Sequence, residues 1–394
     1  MNELLKIRDL TVKFYTYEGI VQALENVNLD IYQKETFGLV GETGCGKTVT
    51  ALAILRLIPP PGQIESGSIY FNINGKGEPI DLLTISESEI RKIRGSRISM
   101  VFQEPSAALN PVYTIGNQIS EVLLIHRRHK LVEQALQTID IQLNKTDGFI
   151  GTLFRPARLA EKSLYQRITQ NPRSLLPRII SHTPVLRRLL WRIDSEANKM
   201  AVGLLKEVEI SDPARVAVQY PHQLSGGMKQ RSMIAMALAC SPKFLIADEP
   251  TTALDVTIQA QILELLRRLK DELESSILYI THDLAVAAEI CDRVGVMYAG
   301  SLCEVAKVDD LYAKPLHPYT KALMAAIPKP GEIPHSIAGT LPDPINLPPG
   351  CRFQTRCDIS TGICKGKFPQ MIEVAPGHFV SCHNYRGGVN GTPS

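Results

Sequence analysis

Two groups of residues far apart in this chain have the types and spacing needed to handle a phosphorylated ligand. Gly41, Glu42, Thr43, Gly44, Cys45, Gly46, Lys47 and Thr48 fit G-x-x-x-x-G-K-[ST] in full. Glycines at those positions let backbone N–H groups converge on a phosphate, Lys47 can reach its outer oxygens, and the Thr48 hydroxyl can ligate Mg²⁺. The second group closes the stretch LSGGMKQRSMIAMALACSPKFLIADEPTTALD, Leu224 to Asp255. Asp248 and Glu249 are adjacent carboxylates, one able to hold Mg²⁺ while the other orients an attacking water. Ser225, Gly226 and Gly227 offer a second anion-approaching turn, ahead of a run that reads as a helix.

These groups need rigid elements behind them. Thr36 to Val40, Ile98 to Phe102, Phe244 to Ala247 and Ile277 to Ile280 are short continuous apolar runs, the pattern of strands buried on both faces of a parallel sheet. Each leads into residues that can do chemistry: the loop starting at Gly41, Gln103, Asp248 with Glu249, and His282 just before Asp283. Ligands in doubly wound folds bind at such strand ends. Leu4 to Phe14 and Val21 to Ile31 alternate apolar and polar residues around Glu18 and Gly19 and read as antiparallel strands. Thr257 to Leu273, with Ile258, Ile262, Leu265, Leu266 and Leu269 at helical spacing, reads as scaffold.

In this order, the phosphate loop, LSGGxxQR, the apolar strand, DEP and ALD make the chain resemble the ABC transporter ATPases. The resemblance implies an α/β P-loop core with an antiparallel β portion, an α-helical subdomain and ATP with Mg²⁺ as ligands. It implies nucleotide contacts from Gly41, Gly44, Cys45, Gly46, Lys47, Thr48 and Val49, and from Ser225, Gly226, Gly227 and Asp255 of the signature and D-loops. Thr48, Gln103 and Asp248 are implied at Mg²⁺, with Glu249, Gln103 and His282 in catalysis. An aromatic stacked on adenine is implied at Phe14, with Tyr15 or Tyr17 open. Cys45 stands at a variable position commonly serine; ahead of a helix and beside Lys47, its thiol is expected to have a lowered pKa.

His317, Pro318, Tyr319 and Thr320 form the HPYT segment found in ATPase subunits of oligopeptide and dipeptide importers. Beyond it, Cys351, Cys357, Cys364 and Cys382 follow as C-x5-C-x6-C-x17-C. Four thiolates can bind an iron–sulfur cluster or tetrahedral zinc, and spacing alone does not choose between them. The resemblance implies a [4Fe–4S] cluster. Cys240, Cys291 and Cys303 read as core fillers.

A chain of 394 residues, 44% hydrophobic, is expected to hold more than one structural unit. The expected divisions are 1–103 and 219–305 for the nucleotide core, 104–218 for the helical subdomain, and 306–394 for the cysteine-bearing extension. Roughly 145–194 looks inserted, with ten Lys and Arg against three Asp and Glu in a chain of net charge +3. Pro156, Pro172, Pro177 and Pro184 there argue for short basic amphipathic helices. Arg187, Arg188 and Arg192 around Leu189, Leu190 and Trp191 read as a solvated face or as a contact for anionic lipid or permease.

No apolar run reaches about 18 residues and the start offers no h-region, so neither a membrane span nor secretion is expected. The implied setting is the cytoplasmic face of the membrane, peripherally bound. The implied partners are a second ATPase subunit, two transmembrane permease subunits and, indirectly, an extracytoplasmic binding protein, with no nucleic acid. A soluble ABC ATPase acting on DNA is the alternative, opposed by the prolines where a coiled coil would be needed. A regulatory metal-binding protein is opposed by the complete catalytic motifs.

Overall fold

Alternation in the first thirty residues is realised as two long strands, β1 (Glu3–Thr16) and β2 (Gly19–Tyr32), paired antiparallel with Ile7 facing Leu29 and Phe14 facing Val21. The computed structural model describes residues 2–73, 78–144, 149–170, 191–252, 254–327 and 337–385. It divides into two units, 1–103 with 242–394, and 104–241.

The first unit is built on two sheets. Strands β1 and β2 join β4 (Gly62–Phe71) and β5 (Ile80–Asp81) in a four-stranded antiparallel sheet, order β2-β1-β4-β5. Gly67, at φ 110°, sits within β4 beside a register shift against β1.

The continuous apolar runs become β3 (Thr36–Val40), β6 (Ile98–Val101), β7 (Phe244–Asp248) and β8 (Ser276–Thr281). With β9 (Arg293–Tyr298) they form the parallel part of an eight-stranded sheet. Strands β10 (Ser301–Lys307), β12 (His378–Val380) and β11 (Ile372–Ala375) extend it antiparallel, giving β11-β12-β10-β9-β3-β8-β7-β6. One apolar core joins both sheets: Leu5, Ile7 and Leu24 pack with Phe37, Ile246 and Ile280, and with Ala51 and Ile54 of the Lys47–Ile54 helix. The element carrying Lys47 and Thr48 is thereby fixed on both sides.

The second unit is helical, with principal helices Ile115–His126, Arg128–Asn144, Phe149–Gln170, Trp191–Glu207 and Gly226–Leu238. It continues to Ser241, past the boundary expected at 218, because the Gly226–Leu238 helix buries Met233, Ile234, Ala235 and Leu238 and packs on the helices at 115–126 and 191–207. Pro156 does not break its helix either: it lies inside the 22-residue Phe149–Gln170. Side-chain ties hold that segment, since Lys162 pairs with Asp140 at 2.5 Å and Arg192 with Glu161 at 2.8 Å. Arg192 is thus a packing residue, its guanidinium also donating to Gln142 Oε1 at 3.0 Å, and it is not offered to lipid. Trp191 is exposed, while Arg187 and Arg188 lie outside the described residues.

Candidate nucleotide and water site

Strand β3 ends where the loop 41–46 begins, and two of its glycines are required by geometry. A Cβ at Gly41 would stand 2.1 Å from the Met297 carbonyl oxygen. Gly46 has φ 105°, and a Cβ there would meet the Ala23 carbonyl at 2.8 Å. The loop folds round the buried Lys47 side chain, whose ammonium donates to the carbonyls of Gly41 at 2.7 Å and Glu42 at 3.0 Å. Carbonyl partners keep the cation satisfied.

Cys45 corrects an expectation. It is 1% exposed, and burial pushes its thiol above the ordinary value, outweighing Lys47, whose ammonium lies 3.8 Å from the sulfur. The helix N-terminus and the lysine favour a thiolate, but desolvation wins. In the nucleotide-free protein, Cys45 should therefore react with a maleimide about tenfold more slowly than the half-buried Cys357. Competitive labelling read by mass spectrometry checks this, and Cys45 labelling first would restore the reactive-thiol reading.

The carboxylates arrive at the end of β7. Thr48 Oγ1 donates to Asp248 Oδ1 at 3.2 Å, bringing a hydroxyl and a carboxylate oxygen together, a donor set suited to a hard cation such as Mg²⁺. Burial is the main reason that Asp248 is raised to about 6, with the Thr48 hydrogen bond opposing and the charge of Glu249 adding. Its folded pKa lies above the ordinary 3.8, so this charge disfavours the metal-free fold at neutral pH and is relieved as pH falls through about 6.

Glu249 is a non-glycine residue in the left-handed region, φ 43°, held there by its N–H donating to the Ile280 carbonyl at 2.9 Å. That backbone aims its carboxylate among three side chains. Oε2 accepts from Gln103 Nε2 at 3.1 Å and Thr252 Oγ1 at 2.9 Å, and Oε1 lies 3.0 Å from His282 Nδ1. Burial would raise its pKa, but hydrogen bonds from His282 and Thr252 prevail and hold it below the ordinary carboxylate range.

The four strand ends β3, β6, β7 and β8 thus converge through Lys47, Gln103, Glu249 and His282. A cavity of about 430 Å³ is lined by Gly44, Gly46, Lys47, Thr48, Gln103 and Glu249 together with Phe14, Val21, Ala23 and Val49. Of the three aromatics open in the sequence, Phe14 lines this cavity. Tyr15 instead donates to Glu65 Oε1 at 2.8 Å, and Tyr17 is fully exposed.

In the helical unit, Ser225 caps the Gly226–Leu238 helix by accepting from Met228 N–H at 3.3 Å. Ser225 and Gly226 are exposed, free to meet another molecule. Asp255 is occupied in a similar way in the first unit, capping the Val256–Leu273 helix through Ile258 N–H at 2.9 Å.

Sequence reasoning missed a further layer, supplied by the C-terminal extension. The Glu42 N–H donates to the Tyr319 hydroxyl at 2.9 Å, and the Glu42 carboxylate takes a two-pronged bond from Arg356, at 2.7 and 3.1 Å. Tyr319 stands in the HPYT segment, but nothing in the sequence ties it or Arg356 to Glu42, some three hundred positions away.

The expected cysteine site gains no support from the geometry. Among the described residues, no group of three or more His, Cys, Asp or Glu is arranged to hold a metal ion. The thiols of Cys351, Cys357, Cys364 and Cys382 are near enough to influence one another's titration, and Cys351 N–H donates to the Cys364 carbonyl at 2.8 Å. Burial, then the charges of the other three, pushes Cys351 up to about 11, so as it stands this thiol is protonated at neutral pH.

A family model described as ABC transporter matches residues 24–252, and one described as oligopeptide/dipeptide transporter, C-terminal region, matches 303–364. The chain is 41% identical over 393 residues to a probable peptide ABC transporter ATP-binding protein of Sinorhizobium fredii, spanning 98% of this chain and 96% of that protein. It is 39% identical over 386 residues to the dipeptide transport ATP-binding protein DppD of Bacillus subtilis, with 97% and 95% spanned. Among solved structures, an ATP-binding cassette in a dimeric post-hydrolysis state, bound to ADP and Pi, superposes with a TM-score of 0.53 at 26% identity, over 77% of this chain and 99% of that one. The reading as an ATPase acting on DNA gains nothing from these relatives.

Proposed function

This chain belongs to the ABC transporter ATPases, in the branch with the oligopeptide/dipeptide C-terminal region, and from that premise we propose how its residues divide the work of a peptide importer. It is an ATP-hydrolysing subunit that dimerises and serves transmembrane permease components. The observation that carries the assignment of roles is the convergence of Lys47, Thr48, Asp248, Glu249, Gln103 and His282 at the ends of neighbouring parallel strands.

Lys47 exchanges its carbonyl partners for phosphate oxygens, and the loop N–H groups hold the rest of the phosphate chain. Thr48 and Asp248, with Gln103 nearby, would hold Mg²⁺, which neutralises developing charge on the phosphates when bound. Glu249, kept ionised, orients the attacking water; its depressed pKa suits it to positioning and polarising more than to keeping a proton. His282 shares that carboxylate and so is placed to sense the terminal phosphate. The Ser225–Gly227 turn, exposed at Ser225 and Gly226, faces the ATP held by a second subunit, and closure of the pair drives the permease.

Among the described residues no helix is long and apolar enough to cross a membrane. Attachment at the cytoplasmic face, through two permease subunits that receive peptide from an extracytoplasmic binding protein, is the arrangement that family membership supports. A [4Fe–4S] cluster on the four late cysteines, with zinc as the alternative, is a finer reading, supported by the family resemblance and by the mutual proximity of their thiols.

Co-reconstitution with the permease tests the function: peptide delivered by its binding protein should raise Mg²⁺-dependent ATP hydrolysis. A complex that hydrolyses no ATP overturns the reading. On anaerobically purified chain, iron and acid-labile sulfide near four each support the cluster; neither above background sets it aside.

A further inference from the structure

The nucleotide cavity has a wall that the phosphate-binding motifs do not provide. Leu341, Pro342, Pro344 and Leu347, from the extension beyond the HPYT segment, line it together with Phe14 and Val21. Their position is fixed by backbone and by packing. Gln22 N–H donates to the Pro344 carbonyl at 3.0 Å, placing the segment on β2 next to Val21, the cross-strand partner of Phe14. Ile345 packs over Gly19, where an added Cβ would stand 2.7 Å from its Cγ2. Asp343 stiffens the turn, accepting from Ile345 N–H at 2.9 Å and from the Asn346 side chain at 3.0 Å. Leu341 is nonetheless 40% exposed, an apolar side chain left open on a cavity that Lys47, Thr48 and Glu249 also line.

We propose that Leu341 and Leu347 complete the base-binding end of the nucleotide site, so that the extension acts in cis as a specificity-determining wall for ATP alongside Phe14. The charged lining groups suit a triphosphate, and the apolar cluster of Phe14, Val21 and the Leu341–Leu347 segment, brought together by the β1–β2 pairing and the Gln22–Pro344 hydrogen bond, suits the face of the base. Covering that ring on a second side removes more apolar surface from water than Phe14 alone can. The wall rests on the assignment of this cavity to ATP.

The test separates base from phosphate contacts with two probes, ATP and inorganic tripolyphosphate, titrated calorimetrically into the full-length chain. Leu341→Ser with Leu347→Ser should weaken ATP about tenfold and leave tripolyphosphate within about twofold, because only the base loses contacts. Leu341→Ala alone, a milder change, should move ATP in the same direction. ATP affinity equal to wild type in the double variant overturns the wall. Equal weakening of both probes also overturns it, since the segment would then be supporting the phosphate loop. Wild-type chain that binds tripolyphosphate and ATP equally well would overturn the base site itself, and the ATP assignment with it.

Discussion

Replacing Glu249 by Gln lowers ATP turnover by about a thousandfold while ATP binding stays within a few-fold of wild type. The size follows from what a positioned carboxylate contributes to water attack, about two to four orders of magnitude, or roughly 4 kcal/mol of barrier at the middle of that range. Selectivity for the chemical step follows from the surroundings. Glu249 touches Gln103, Thr252 and His282, whereas the phosphate chain is proposed to be held by the loop 41–46 and Lys47. A glutamine keeps the shape, can accept from Thr252 and Gln103 through its carbonyl, and can donate toward His282, so the backbone at φ 43° keeps its supports. What disappears is the negative charge that polarises the water. With hydrolysis blocked and binding intact, ATP should hold two copies together, or this chain and its partner ATPase, long enough to elute as a dimer. Single-turnover hydrolysis decides it; near-wild-type rates in Glu249→Gln would move the water-orienting role elsewhere, with His282→Ala the next variant to measure. The pH dependence has a definite sign. Because the Glu249 pKa lies below its ordinary 4.5, its folded-state contribution is present above that value and lost only as pH falls through the depressed one. Titration of Glu249 should therefore not be what limits activity between pH 8 and 5.

What the sequence made legible is the chemistry that tolerates little variation. Phosphate loops, paired carboxylates and the strands that deliver them have fixed residue types because their function is local: each motif sits at the end of its own strand. The sequence was silent where function depends on packing between distant segments. Cys45 reads as a reactive thiol from its neighbours in sequence, yet it is buried in the core behind the loop. Arg192 reads as a basic surface residue until Glu161, on another helix, is seen to hold it. The Gly226–Leu238 helix begins at a nucleotide motif but buries its apolar face among helices of the second unit. Burial, unlike a motif, is decided by partners far along the chain, and no window of sequence contains them. Phe14 lies between these cases: family pattern pointed to it, and only the cavity separated it from Tyr15 and Tyr17.

Arg356→Ala should destabilise the first unit and weaken ATP together, an effect that no phosphate-binding motif predicts. The guanidinium is 3% exposed, bridges both oxygens of Glu42, donates through Nε to the Ala338 carbonyl at 2.9 Å and stacks over Tyr298 and Phe353. Removing one partner of a buried pair costs about 3–5 kcal/mol, but Glu42 is 25% exposed and water can reach it, so about 2–3 kcal/mol is the appropriate expectation. A change of that size should lower the melting temperature by roughly 5–10 °C. The link to nucleotide runs through the backbone. Lys47 donates to the carbonyls of Gly41 and Glu42, and the Glu42 N–H is tied to Tyr319, so a Glu42 that loses its side-chain anchor shifts the carbonyls that hold the lysine. ATP affinity should fall several-fold in Arg356→Ala and by less in Arg356→Lys, whose single ammonium cannot bridge both carboxylate oxygens. A double-mutant cycle with Glu42→Ala isolates the pair, and a coupling energy of about 1.5 kcal/mol or more is expected on stability. A coupling under about 0.5 kcal/mol would make the pair a bystander. A folded Arg356→Ala protein that binds ATP as wild type does would show that the extension supports the fold without steadying the loop.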